Sequence, residues 1–228
     1  MDRFIIDLIL LPLSYLYIAI LLKMASIWKK SGRMSGSTSR KFVHVSTGLI
    51  VIAMPIIFST KIVPVFIAFT FILLNFLTSP ASPFEKMKLD SISDGHSLGT
   101  TYYAISLTLL LWFYFDIPWI LQVGFLPLVI GDASAAYFGL KFGKHKWKFF
   151  KDKSIEGSGA GFLATFMILT FVLSAYRFID LFDFELSFMF GMVFTISIIT
   201  LIIELISPKG FDNLTIPLFC TMFALYIS

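Results

Sequence analysis

The sequence predicts an all-α, polytopic integral membrane protein of about eight transmembrane helices, seven to nine by the same rule. Both termini are expected outside, the polar loops in the cytoplasm, and residues 1–228 in a single membrane-embedded catalytic domain. Three observations carry this expectation. Hydrophobic residues make up 57% of the chain and aromatic residues 17%, more apolar surface than a soluble core of this size hides from water. Only 14% of residues are charged, against about 25% in soluble domains. The apolar residues also fall into runs close to the ~20 that a helix needs to cross the hydrocarbon core.

Taken in order, the runs are 4–22, 42–59, 61–79, 100–115, 117–140, 157–176, 186–206 and 214–228. The first lacks a basic leader and a small-residue cleavage site, so it reads as a retained span and not as a secretory signal. The 117–140 run is long enough to tilt, kink or break, and the last run is short. With the N-terminus outside, the inner loops 23–41, 80–99, 141–156 and 207–213 hold fifteen of the 18 basic residues. Arg3, Lys61 and Arg177 make up the outer three. Lysine and arginine excess marks the cytoplasmic side. Cys220 is the only cysteine, which excludes an intrachain disulfide and a cysteine-based metal centre. No internal repeat of the kind common in transporters is present, and no nucleic-acid partner is expected.

Ionisable groups within spans cost several kcal/mol and face a cavity or a partner. Asp7 and Asn75 lie in otherwise bland spans, where a helix-packing hydrogen bond accounts for each. His44, Asp132 and Glu204 instead lie at one depth, near the inner ends of their spans, as expected for a shared cavity. The inner loops are rich in polar chemistry. Ser39-Arg40-Lys41 directly precedes the second span, and Asp90-Ser91-Ile92-Ser93-Asp94-Gly95-His96-Ser97-Leu98-Gly99-Thr100 precedes Tyr102-Tyr103. After Gly131-Asp132-Ala133-Ser134-Ala135-Ala136 come Gly139, Gly143 and the series Lys141, Lys144, Lys146, Lys148, Lys151 and Lys153. Those lysines suit anionic headgroups and equally suit phosphates.

Two familiar motifs are excluded. Gly139 to Lys144 is too short for a Walker A loop. Gly157-Ser158-Gly159-Ala160-Gly161 opens a membrane helix and follows no strand, so it is no dinucleotide fingerprint. Its GxxxG spacing favours close helix packing, within or between chains, and its helix N-terminus offers backbone N–H groups to an anion.

Five strings, RKFVHVSTG (40–48), SLGTTYY (97–103), GDASAAYFGLKFGK (131–144), DKSIEGSGAGF (152–162) and E-x7-DNLTIP (204–217), stand in one order. Together they resemble the CTP-dependent lipid kinases, a family that includes dolichol kinase, phytol kinase and the yeast-type diacylglycerol kinase. The wider superfamily holds the phosphatidate cytidylyltransferases. The resemblance covers residues 40 to 217. It implies transfer of the γ-phosphate of CTP to the hydroxyl of a membrane lipid alcohol. The basic inner loops put that chemistry at the cytoplasmic face, and the lack of a targeting presequence fits a bacterial or archaeal plasma membrane. The family's CTP-associated segment falls on Gly131, Asp132, Gly139, Gly143, Lys153, Ser154, Glu156 and Gly157.

On that resemblance, Asp132 with Glu204 or Asp212 would hold Mg2+, which binds through one or two carboxylates and keeps several waters. Lys153, Arg40 and Lys41 would cradle phosphates, and Ser154 with the Glu156–Gly157 backbone would add donors. Asn213 would read base or ribose or orient a ligand, His44 or an acid near it would accept the hydroxyl proton, and Gly99, Thr100 and Tyr102 would lie on the lipid side. A phosphatidate cytidylyltransferase shares nucleotide, metal and membrane, although its C-terminal signature is absent. A small transporter is the alternative from another class.

Overall fold

The computed structural model of the chain describes residues 3–84, 98–150 and 152–228. The polar string from Asp90 to Ser97, the loop lysines Lys86 and Lys88, and Lys151 of the lysine series lie outside the described residues. Among the described residues the chain is helical throughout, with a lone bridge between Lys146 and Ser154 as the one extended pairing. It forms two compact units, Met1–Asp116 with Lys209–Phe211, and Ile117–Pro208 with Asp212–Ser228.

The first unit holds α1 (Arg3–Lys30), α2 (Gly36–Leu49), α3 (Met54–Ile57), α4 (Ile62–Thr78) and α5 (Gly99–Tyr114). Helix α1 continues well past the apolar run that ends at residue 22, into its basic end at Lys29 and Lys30. Helix α2 starts inside the expected first loop, where the Ser35 hydroxyl accepts from the Thr38 N–H at 3.1 Å and so caps the N-terminus. The second expected span is therefore not one helix. After α2 comes a 3-10 turn at Ile50–Ile52, and α3 carries Pro55 in its first turn, because proline cannot donate to a continuing ladder.

Both isolated polar residues of this unit have structural partners. Asp7 is fully buried and accepts from the Ser59 N–H at 2.8 Å, and from the Thr60 N–H and hydroxyl, each at 3.2 Å. It ties α1 to the turn that opens α4. Asn75 Nδ2 donates to the Thr100 carbonyl at 3.0 Å, joining α4 to α5.

The second unit holds α6 (Pro118–Leu126), a π-helical turn at Pro127–Asp132, α7 (Ala133–Phe142), α8 (Ile155–Phe178), α9 (Leu186–Ile206) and α10 (Asp212–Ile227). The long expected span is thus one run with a break in its register. Pro127 has no N–H for the carbonyl one turn back, and the chain absorbs the defect by widening the next turn, which ends on Asp132. Such wide turns gather at functional positions.

Helices α7 and α8 meet through small residues. A methyl group on Gly157 would come 2.6 Å from the Ala135 carbonyl oxygen and 2.9 Å from the Gly139 Cα. One on Gly161 would meet the Ala135 Cβ at 2.9 Å and the Gly131 carbonyl at 3.0 Å. The rows Gly131-Ala135-Gly139 and Gly157-Gly161 therefore run antiparallel at backbone contact, the packing expected of small-xxx-small spacing. The outer face of α8 is the reverse: Leu163, Met167 and Phe171, one turn apart, are each more than half exposed. Small residues inward and large apolar residues outward are the pattern of a helix solvated by lipid.

Four helical runs among the described residues are long and apolar enough to cross a membrane: Ile5–Lys30, Pro118–Phe142, Ile155–Phe178 and Leu186–Ile206. Ile62–Thr78 and Asp212–Ile227 are apolar but shorter. Cys220 is buried and unbridged.

Two substitution pairs test this packing. Gly157→Ala is expected to cost about 1–3 kcal/mol, the range for overpacking a tight contact. Gly159→Ala meets nothing within 4 Å and should change stability by no more than about 0.5 kcal/mol; thermal unfolding of both purified variants in detergent measures the difference. Asp7→Ala removes the carboxylate that accepts from the Ser59 and Thr60 N–H groups and should cost about 1–3 kcal/mol, with Asp7→Asn, which keeps one acceptor oxygen, losing less in the same assay.

Candidate active site

Lysine 153 sits two residues before α8, and its placement is fixed by backbone contacts on both sides. Its N–H donates to the Phe150 carbonyl at 2.8 Å, and its carbonyl accepts from the Trp147 N–H at 3.2 Å. The same loop is anchored to the start of α8. Glu156 accepts from the His145 N–H at 3.1 Å and pairs with His145 Nδ1 at 2.7 Å. Trp147 Nε1 donates to the Ser158 hydroxyl at 3.1 Å, and the Ile155 N–H donates to the His145 carbonyl at 2.9 Å. Held in this way, the Lys153 ammonium pairs with the Glu204 carboxylate.

Glu204, near the end of α9, is buried, and the Lys153 side chain is 28% exposed. Burial works against the charge on Lys153, but Glu204, followed by Asp132 and Asp212, outweighs it and holds the ammonium pKa above its ordinary value. One cation thus stands in the field of three acids from the π turn, α9 and the first turn of α10. The Ser154 hydroxyl caps α8 by accepting from the Gly157 N–H at 3.1 Å. The added positive end of α8 favours an anion at this corner.

A small open cleft lies between α7, α8 and α9. Its lining includes the polar residues Asp132, Glu204, Ser158 and Thr200 and the apolar residues Phe162 and Leu201. Two of the three carboxylates therefore share one depression. Among the described residues no group of three His, Cys, Asp or Glu side chains is arranged to hold a metal ion by itself. The donor set fits Mg2+ nonetheless, since that ion takes one or two carboxylates and completes its shell with water and phosphate oxygens.

The expected site residues divide between the units. Asp132, Lys153, Ser154, Glu156, Gly157, Glu204, Asp212 and the buried Asn213 lie in the second, together with Gly139 and Gly143. Its glycines serve packing: a methyl on Gly143 would stand 2.7 Å from the Ser154 hydroxyl, and one on Gly139 3.2 Å from it. Arg40, Lys41, His44, Gly99, Thr100 and Tyr102 lie in the first unit. There the His44 ring stacks on Tyr103 at 4.4 Å, the Tyr103 hydroxyl donates to the His44 carbonyl at 2.8 Å, and Tyr102 meets Phe211 edge-on at 5.4 Å. Sequence reasoning missed His145, Trp147 and Ser158. The signal available was only their place between the lysines and the GxxxG.

Removing the Glu204 charge takes away the strongest influence raising the Lys153 pKa. In Glu204→Gln the pKa falls, the neutral amine fraction rises, and Lys153 should react faster with an amine-acylating reagent between pH 7 and 9. Peptide mass spectrometry reads the change against Lys148 as an exposed internal reference.

Fold and site together define a helical membrane protein in which Lys153 stands among Glu204, Asp132 and Asp212 beside a small cleft of mixed lining. The chain is 35% identical over 126 residues to the phytol kinase of Synechocystis sp., an alignment covering 54% of this chain and 52% of that protein. This similarity bears out the resemblance to the lipid-alcohol kinases and makes the chain a relative of a phytol kinase. The chain spans about half the length of that relative. No family model matches the chain, and no solved structure matches it.

Proposed function

We propose that this protein is a CTP-dependent kinase that phosphorylates the hydroxyl of a membrane lipid alcohol at the cytoplasmic face. The observation that carries the reading is the clamped Lys153 in the field of Glu204, Asp132 and Asp212, at the N-terminus of α8, in a chain similar to a phytol kinase. The excess of basic residues in alternate loops supports eight crossings with both termini outside.

In the reaction, the lipid hydroxyl oxygen bonds to the γ-phosphorus, the bond from that phosphorus to the β–γ bridging oxygen breaks, and CDP leaves. The hydroxyl proton passes to a nearby base, with His44 as the assigned candidate. Phosphoryl transfer of this kind depends mainly on positioning and charge neutralisation. Lys153, Arg40 and Lys41 supply the neutralising cations, and Ser154 and the α8 backbone supply donors. Asn213 is assigned to the nucleoside, while Gly99, Thr100 and Tyr102 are assigned to the lipid side. Asp132, with Glu204 or Asp212, would hold Mg2+, whose contribution is further neutralisation of the phosphate oxygens.

Purified protein supplied with magnesium and CTP labelled at either the γ- or the α-phosphate tests the reading on a panel of phytol, polyprenol, dolichol, diacylglycerol and phosphatidate. Label from the γ-position is expected in an alcohol. Label from the α-position in phosphatidate would make the protein a cytidylyltransferase instead. Asp132→Asn and Lys153→Ala should each lower the transfer rate by about 10²-fold or more, the scale for losing one preorganised charge-stabilising group, while the variants elute as folded protein. Wild-type rates in both would remove the site assignment.

A further inference from the structure

The cleft beside Asp132 is built mostly from the strings 131–144, 152–162 and 204–217, yet it carries apolar members, Phe162 and Leu201, to which no role has been given. Its lining includes Gly131, Ala135 and Gly161, the close contact of the π turn and α7 with α8. Asp132 and Glu204 line it together with Phe162 and Leu201, both partly exposed. From Phe162 the apolar wall runs outward along the seam of α8 and α9. Its ring stacks on Phe166 at 6.4 Å and meets Phe194 edge-on at 5.7 Å, and Phe194 is half exposed on the outer surface. The cationic and helix-capping donors that suit phosphates, Lys153 and Ser154, lie on the loop before α8 and do not line this cleft.

Given the reading above, on which this inference rests, we infer that the lipid alcohol binds along the α8–α9 seam, with its chain against Phe162, Leu201 and Phe194. Its hydroxyl lies beside Asp132 and Glu204. A carboxylate facing hydrocarbon is costly, so a depression that joins carboxylates to an outward aromatic wall suits a ligand with one polar end and one long apolar end. A nucleobase can stack on a single ring, but an apolar wall that continues from Phe162 to Phe166 and Phe194 is longer than a base and matches a hydrocarbon chain, while a bulk acyl chain has no use for the acids. Ser158, whose oxygen already accepts from Trp147, keeps its own proton to donate to a hydroxyl oxygen. This places the lipid on the second unit, in contrast to the assignment of Gly99, Thr100 and Tyr102 in the first.

The test is photo-crosslinking of the wild-type protein with a long-chain isoprenoid alcohol carrying a diazirine a few carbons from its hydroxyl. Competition by excess unlabelled alcohol is compared with competition by the methyl ether of the same alcohol, and peptides are read by mass spectrometry. The expected result is label on the peptides holding Phe162 and Leu201 that is mostly lost with the alcohol and retained with the ether. Alcohol-competed label confined to 98–114, label that the ether removes equally, or no competed label would each overturn the assignment. The γ-phosphate assay judges the kinase reading apart from it. Competed label in the cleft without transfer would leave an alcohol site and remove the kinase, whereas transfer with label elsewhere would remove only the cleft.

Discussion

The second unit depends on the backbone contact between α7 and α8. Large side chains could not replace Gly157 and Gly161 without pushing the helices apart, because their missing β-carbons are the space that the Ala135 and Gly131 carbonyls fill. That closeness sets the rest of the site. It brings Gly139 and Gly143 against the Ser154 hydroxyl that caps α8, and it leaves the loop between the helices short enough to fold back on the α8 start. Without an apolar driving force between helices in lipid, such close approach is a main source of association.

The ionic corner follows from this frame. Removing charge from water costs more than simple attraction returns unless the partners are well placed, and here the backbone places Lys153 before any ligand arrives. Hydrogen bonds to Phe150 and from Trp147 fix the main chain, and Glu204 then meets the side chain. An ammonium in the field of three acids remains charged. The rigidity belongs to the loop anchors His145, Glu156, Trp147 and Ser158, the last of which also lines the cleft.

Much of the architecture was legible because lipid imposes a length rule. The run 186–206 coincides with α9, and the over-long 117–140 run does break its register, at Pro127. Hydropathy misplaced ends where helix and apolar run part company: α1 continues to Lys30 and α2 begins at Gly36, since a helix need not stop where its residues become polar. The polar outliers Asp7 and Asn75 could be recognised as structural, but their partners could not, because backbone donors at Ser59 and Thr60 leave no mark in composition. In the site, the acids and Lys153 were visible as costly or patterned charges. The motif glycines were visible too, yet their role in packing emerged only from the contacts. The loop anchors form through distances between residues whose types are individually unremarkable.

The wide turn at Pro127–Asp132 has one more consequence. In a uniform helix each residue is rotated by about 100° from the last, so the direction of Asp132 would be dictated by the face that α6 buries. The inserted residue uncouples the two. Helix α6 can bury an almost continuous apolar surface from Trp119 to Leu126, while the acid a few residues on is aimed independently. The phase of the helix is reset at the point where structural packing gives way to chemistry.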